Sequence, residues 1–139
     1  ASGRIADKYI MVRVGGPQRC WGGFWGRFMD KHLWQEGEPL GPIGTEILFE
    51  NEHVRVWRVD LGPKAHQSWH KHHLPYVIVP LTTSHYEMRF NDGTVRRIDD
   101  VPGAVKWRGD PGPVHELYNV DDTGGGTVLV EIKDGAKAT

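Results

Sequence analysis

"HYEMRFNDGTVRRI", residues 85–98, reads as two strands folded back on each other. Tyr86, Met88 and Phe90 alternate with His85, Glu87 and Arg89. A period of two puts these sets on opposite faces of a strand. "NDG" at 91–93 supplies residues that accept the positive φ of a hairpin turn, and "TVRRI" is the return strand. The same grammar extends in both directions. Upstream, "TEILFE" (45–50) precedes "VRVWRVDL" (54–61), which places Arg55, Trp57, Val59 and Leu61 on one face. "YVIVPL" (76–81) is continuously apolar, as in a strand buried on both faces. Downstream come "VPGAVKW" (101–107), "HELYNV" (115–120) and "TVLVEI" (127–132), the last two separated by the turn "DDTGGG". About eight short strands without a helical period predict an all-β fold, either a closed barrel or a double-sheet jelly roll.

The bulk properties agree with one such domain. The chain has 139 residues, 38% hydrophobic and 25% charged, with 18 Gly and 9 Pro to serve turns. No apolar run approaches the roughly 18 residues that would span a bilayer. "YIMV" at 9–12 is too short for a secretory leader's core. Cys20 is the single cysteine, which excludes an internal disulfide and points to a reducing cytoplasm. Net charge is −1, divided as +4 on residues 1–28 and −5 on the rest. A nucleic-acid binder should concentrate positive charge on its folded domain, so nucleic acid is not an expected partner, and neither is a membrane.

Three segments are expected: an N-terminal arm and linker at 1–44, a barrel at 45–133 and a tail at 134–139. Within the arm, "GGPQRCWGGFWGRF" (15–28) combines five glycines with Trp21, Phe24, Trp25 and Phe28 and follows neither period. Those rings need burial, against the barrel or against the partner of a homodimer. The alternative is that Met29 marks a start and residues 1–28 are foreign to the domain. "QEGEPLGPIG" at 35–44 reads as linker.

Four of the eight histidines crowd into "HQSWHKHHLPY" (66–76). His70 and His72 share a face if the strand continues through them, and a transition metal is one reason to hold two imidazoles together. An HxH pair alone is a weak signal. His73 should point away, His66 should sit in a loop, and His32, His53 and His85 should lie at the surface.

Two stretches together carry more. Gly62 precedes the HxH pair by eight residues. Later, Gly103, the bend "GDPGPV" (109–114), His115 and Asn119 follow in order. This outline, over about residues 45–133, resembles the two motifs of the cupin superfamily. The sequence departs from the family pattern in spacing, in having Ser84 near the first motif's second glycine, and in lacking a carboxylate after the HxH pair. Tyr76 stands where that carboxylate is usual.

The resemblance implies a cupin-type jelly-roll β-barrel. It also implies one divalent transition metal per chain on His70, His72 and His115, Fe(II) first, with Zn(II), Ni(II) or Mn(II) as alternatives. Tyr76 would be a hydrogen-bond donor beside these ligands or a weak fourth ligand. Trp69, Tyr86, Met88, Phe90 and Trp107 would form substrate-binding walls, with Tyr118 a further aromatic candidate. Arg55, Arg58, Lys106 and Arg108 could meet a carboxylate if they face inward. The implied activity is that of a mononuclear non-haem iron dioxygenase acting on a small chelating organic acid or dicarbonyl. Lewis-acid isomerase or lyase chemistry and non-catalytic binding of a small anionic molecule stand as alternatives.

Overall fold

Alternating and apolar runs become strands wherever a turn lets them pair, and the computed structural model, which describes residues 32–133, contains nine. They are β1 (Glu46–Glu50), β2 (Val54–Leu61), β3 (His66–His70), β4 (Tyr76–Pro80), β5 (Ser84–Phe90), β6 (Val95–Asp100), β7 (Lys106–Arg108), β8 (His115–Asn119) and β9 (Gly125–Ile132). The expected arm over 1–28 and the tail at 134–139 lie outside the described residues.

The ladders form two sheets, with orders β1-β2-β9-β4-β7 and β3-β8-β5-β6 and antiparallel pairing throughout. This is the jelly-roll alternative; the hydrogen bonds do not close a single cylinder. The 91–93 hairpin forms as its residues dictate. Gly93 adopts φ 91°, its N–H donates to the Phe90 carbonyl at 2.9 Å, and Met88 pairs with Arg96 across the ladder.

One local expectation is corrected. His66 opens β3 rather than sitting in a loop, because its backbone pairs with Tyr118. The stretch read as linker is fastened down. Gly41 N–H donates to the Trp69 carbonyl at 2.7 Å, Thr45 N–H donates to the Arg58 carbonyl at 2.7 Å, and a Cβ on Gly41 would lie 2.4 Å from Ser68 Oγ.

Side chains from both sheets enclose a cavity of about 490 Å³. Leu61, Ile78 and Leu129 supply apolar wall from the five-stranded sheet, and Met88, Phe90 and Leu117 from the four-stranded one. Outside, one cross-strand row runs across the whole larger sheet: Phe49, Val56, Val130, Val77 and Trp107 are successive partners. The three valines are half-buried, whereas Phe49 and Trp107 are 55% and 57% exposed.

Candidate metal centre

β3 and β8 bring two of the expected ligands together directly, since His70 is the ladder partner of His115. A β-bulge prepares this. Gln67 pairs with Leu117 and His70 with His115, so Ser68 and Trp69 together oppose the single residue Glu116. The extra residue lets Gln67 and His70, three apart, both line the cavity. His72 lies beyond the end of β3, so strand parity is not what orients it. The short segment before β4 turns its ring inward instead.

The three rings are 2%, 4% and 5% exposed, and each offers a nitrogen within 4.8 Å of those of the others. Ring centroids are 4.4 Å apart for His70 and His115, and 5.3 Å for His72 with either. Backbone carbonyls orient two of them. His70 Nδ1–H donates to Ser68 O at 2.7 Å, and His115 Nδ1–H to Pro113 O at 3.0 Å. Each therefore keeps Nε2 as a lone-pair donor, the arrangement by which a carbonyl fixes a metal-binding tautomer.

Burial pushes the His70 imidazole down to about 4, with the neighbouring His115 adding to the effect. Burial, then His70 and His115, push His72 down to about 3. Burial also lowers His115, helped by Arg96 and Lys71 and opposed by the Pro113 carbonyl. All three are thus neutral at pH 7, as ligands must be.

His72 Nδ1 is buried with no hydrogen-bond partner among the described residues. A buried polar nitrogen in that state is costly, and an ion accepting imidazole lone pairs at the group would remove the cost. Three neutral nitrogens suit a divalent ion such as Fe, Zn or Ni, so the residues fit the metal that the sequence implied.

Among the described residues, no carboxylate joins them. Glu131 lies on the same face of β9 as Thr127 and Leu129 and is 3% exposed, but it is engaged elsewhere. Its Oε1 accepts from Trp57 Nε1 at 2.8 Å and from Arg55 Nη1 at 3.2 Å. Tyr76 stacks on His72 with centroids 4.2 Å apart and planes 16° apart, so its contact is ring against ring. Burial raises its phenol above the ordinary value, against a lowering by Arg108 and Arg96, and it stays protonated at neutral pH.

Of the expected walls, Tyr86, Met88 and Phe90 line the cavity. Trp69 and Trp107 do not, and both are corrections. Trp107 lies between Lys106 and Arg108, which take the inward positions on β7. Trp69 is one of the two bulged residues and meets Arg89, whose guanidinium carbon is 5.5 Å from its ring centroid. Tyr118 also lies away from the cavity and stacks on His66 at 4.4 Å.

Lys106 and Arg108 face the cavity, whereas Arg55 and Arg58 are held by Glu50 and Asp60. The other histidines stay outside the group: His66 bonds Glu116 at 2.7 Å, His85 bonds Asp121 at 2.9 Å, and His32, His53 and His73 are exposed. Arg96 and Asp100 line the cavity and were not singled out from the sequence. Arg96 was legible in principle, because the 91–93 turn sets its register opposite Met88.

Asn119, the last residue of the outline, is a fastener. Fully buried, its Nδ2 lies 3.0 Å from Leu61 O, 2.9 Å from Gly62 O and 2.9 Å from Thr123 O, and its Oδ1 accepts from Asp121 N–H. It ties the turn before β3 to the turn before β9.

A solved cupin domain from Bordetella pertussis Tohama I shares this architecture with 30% sequence identity and a TM-score of 0.60, covering 69% of this chain and 97% of its own. This chain belongs to the cupin superfamily. The cupin fold extends to more distant structures. One is an uncharacterised conserved protein with a double-stranded β-helix domain from Klebsiella pneumoniae, 19% identical with a TM-score of 0.52 over 78% of this cupin and 89% of that chain. Another is the cupin domain of Cnp3 from Schizosaccharomyces pombe, 15% identical with a TM-score of 0.51 over 66% and 65%. No family model matches the sequence, and no curated protein matches it. Among the described residues, no helix is long and apolar enough to cross a membrane.

Proposed function

We propose that this cupin is a metal-dependent enzyme, a mononuclear non-haem iron dioxygenase acting on a small chelating organic acid or dicarbonyl. The carrying observation is the group of three buried neutral histidines opening on a cavity, with no carboxylate among them. Three neutral donors leave a divalent ion's charge uncompensated, which favours an anionic chelate as the remaining ligand. An iron ion held there would supply Lewis acidity and redox chemistry.

The chain's own residues do the rest. Carbonyls of Ser68 and Pro113 hold two rings in register. Tyr76 packs the third. Met88, Phe90, Leu117 and Leu129 line the cavity and keep its walls apolar, which strengthens charge–charge attraction within it. Homodimerisation is proposed to use the outer row from Phe49 to Trp107, where apolar surface is exposed.

The test has two stages. Elemental analysis should find about one divalent ion per chain, lost in His70→Ala and His115→Ala and kept in His73→Ala. Full retention in both site variants would refute the centre. Metal-free protein is then reloaded and assayed on organic acids and dicarbonyls in three arms: Fe(II) with O₂, Fe(II) without O₂, and Zn(II). Product in the first arm alone supports the dioxygenase. Equal product in all three supports Lewis-acid chemistry, and binding without product in any arm supports a non-catalytic cupin.

A further inference from the structure

Among the described residues are six arginines: Arg55, Arg58, Arg89, Arg96, Arg97 and Arg108. Four hold a carboxylate: Arg55 pairs with Glu50 and Glu131, Arg58 with Asp60, Arg89 with Glu116 and Arg97 with Asp99. The other two, Arg96 and Arg108, have no carboxylate partner among the described residues, and these are the two that line the cavity.

Both stand next to the histidine group. Arg108 is the ladder partner of Tyr76, whose ring stacks on His72. The guanidinium carbon of Arg96 lies 5.3 Å from the centroid of Phe90, whose ring is 6.0 Å from that of His115. Arg96 therefore lies one aromatic ring away from His115, and Arg108 pairs with the residue that stacks on His72. They come from different sheets, Arg96 from β6 and Arg108 from β7, and reach the cavity from opposite walls.

Their recorded contacts leave most donors available. Arg96 Nη2 meets Met88 Sδ at 3.9 Å, and Arg108 Nη1 donates to Trp107 O at 3.4 Å. The other cavity charges are already engaged. Lys106 Nζ is 3.1 Å from Asp100, and Asp110 accepts from the Gly112 N–H.

We infer that Arg96 and Arg108 form an anion subsite beside the histidine group, so that the preferred ligand carries two anionic ends: a chelating acid and a second carboxylate or similar oxyanion. A planar guanidinium offers paired N–H donors that match a carboxylate, and apolar walls focus its field into the cavity. Arg96 is exposed and Arg108 half-buried, and both line the cavity. The inference deepens the proposed function and rests on its metal-chelate reading.

The experiment compares two probes of equal chain length, 2-oxoglutarate and 2-oxopentanoate, on the Zn(II)-loaded protein by calorimetry. Both carry a chelating 2-oxo acid, and only the first has a distal carboxylate. The dicarboxylate should bind at least about tenfold tighter. In the Arg96→Gln/Arg108→Gln double variant that preference should fall to about onefold, with zinc content unchanged and 2-oxopentanoate affinity reduced far less than that of 2-oxoglutarate. A preference that survives the double variant, or is absent from the wild type, overturns the subsite.

Failure of the underlying reading looks different: zinc is not taken up. Glutarate and pentanoate are then compared on the metal-free chain. A glutarate preference lost in the double variant still supports the subsite, and no preference overturns it.

Discussion

At the scale of single residues, burial governs His70, His72 and His115. Without an ion, each is a neutral imidazole that cannot readily accept a proton where it sits, with His70 and His72 lowered to about 4 and about 3. In the unfolded chain the same rings titrate near pH 6.5. Between those values the unfolded state binds more protons than the folded one, so stability falls as pH falls. Metal-free protein should lose on the order of a few kcal/mol from pH 7 to pH 4. Denaturant midpoints measured with a chelator present should show the slope already between pH 6.5 and 5, above the main carboxylate range, and His72→Phe should flatten it. A pH-independent midpoint in the wild type would contradict the buried neutral rings. The HxH spacing and the later His115 made this trio legible in the sequence. The inward turn of His72 was expected from strand parity, but it comes from a segment outside any strand.

At the scale of elements, alternation located eight strands but hid the start of β3. A bulge breaks the period there, and Trp69 takes a position that simple alternation cannot assign. Trp107 was missed for a related reason. β7 has only three residues, too few for parity to show which face is inward, and Lys106 and Arg108 turn in while the tryptophan turns out. Turn chemistry was more readable: Asn91, Asp92 and Gly93 form the expected hairpin. Asn119 was legible as part of a motif but not in its role, since its partners lie in two turns far apart in sequence. Removing it strands buried carbonyls at both turns. Asn119→Ala should destabilise the protein by about 2–4 kcal/mol, read from denaturant unfolding. A loss under about 0.5 kcal/mol would mean that water replaces the amide without cost.

At the scale of the whole molecule, the outer face of the five-stranded sheet exposes large apolar side chains among the described residues. Phe49 and Trp107 sit at opposite ends of its cross-strand row. If homodimerisation uses this face, the wild type should have a dimer's mass by light scattering. Phe49→Lys/Trp107→Lys should shift it to the monomer, with unchanged near-neutral melting of the individual chain. A dimer that survives both lysines places the contact elsewhere. The division of labour between the sheets has a mechanical consequence. His70 and His115 are paired within the four-stranded sheet, and His72 follows directly from it, whereas Tyr76 and Arg108 belong to the other sheet. Ion capture is thus set inside one leaf, while the distance to the opposing arginine depends on how far the leaves stand apart. A motion that parted the two leaves would carry Arg108 away from the histidines and leave Arg96 beside them, loosening a long ligand at one end while its anchoring point stays intact.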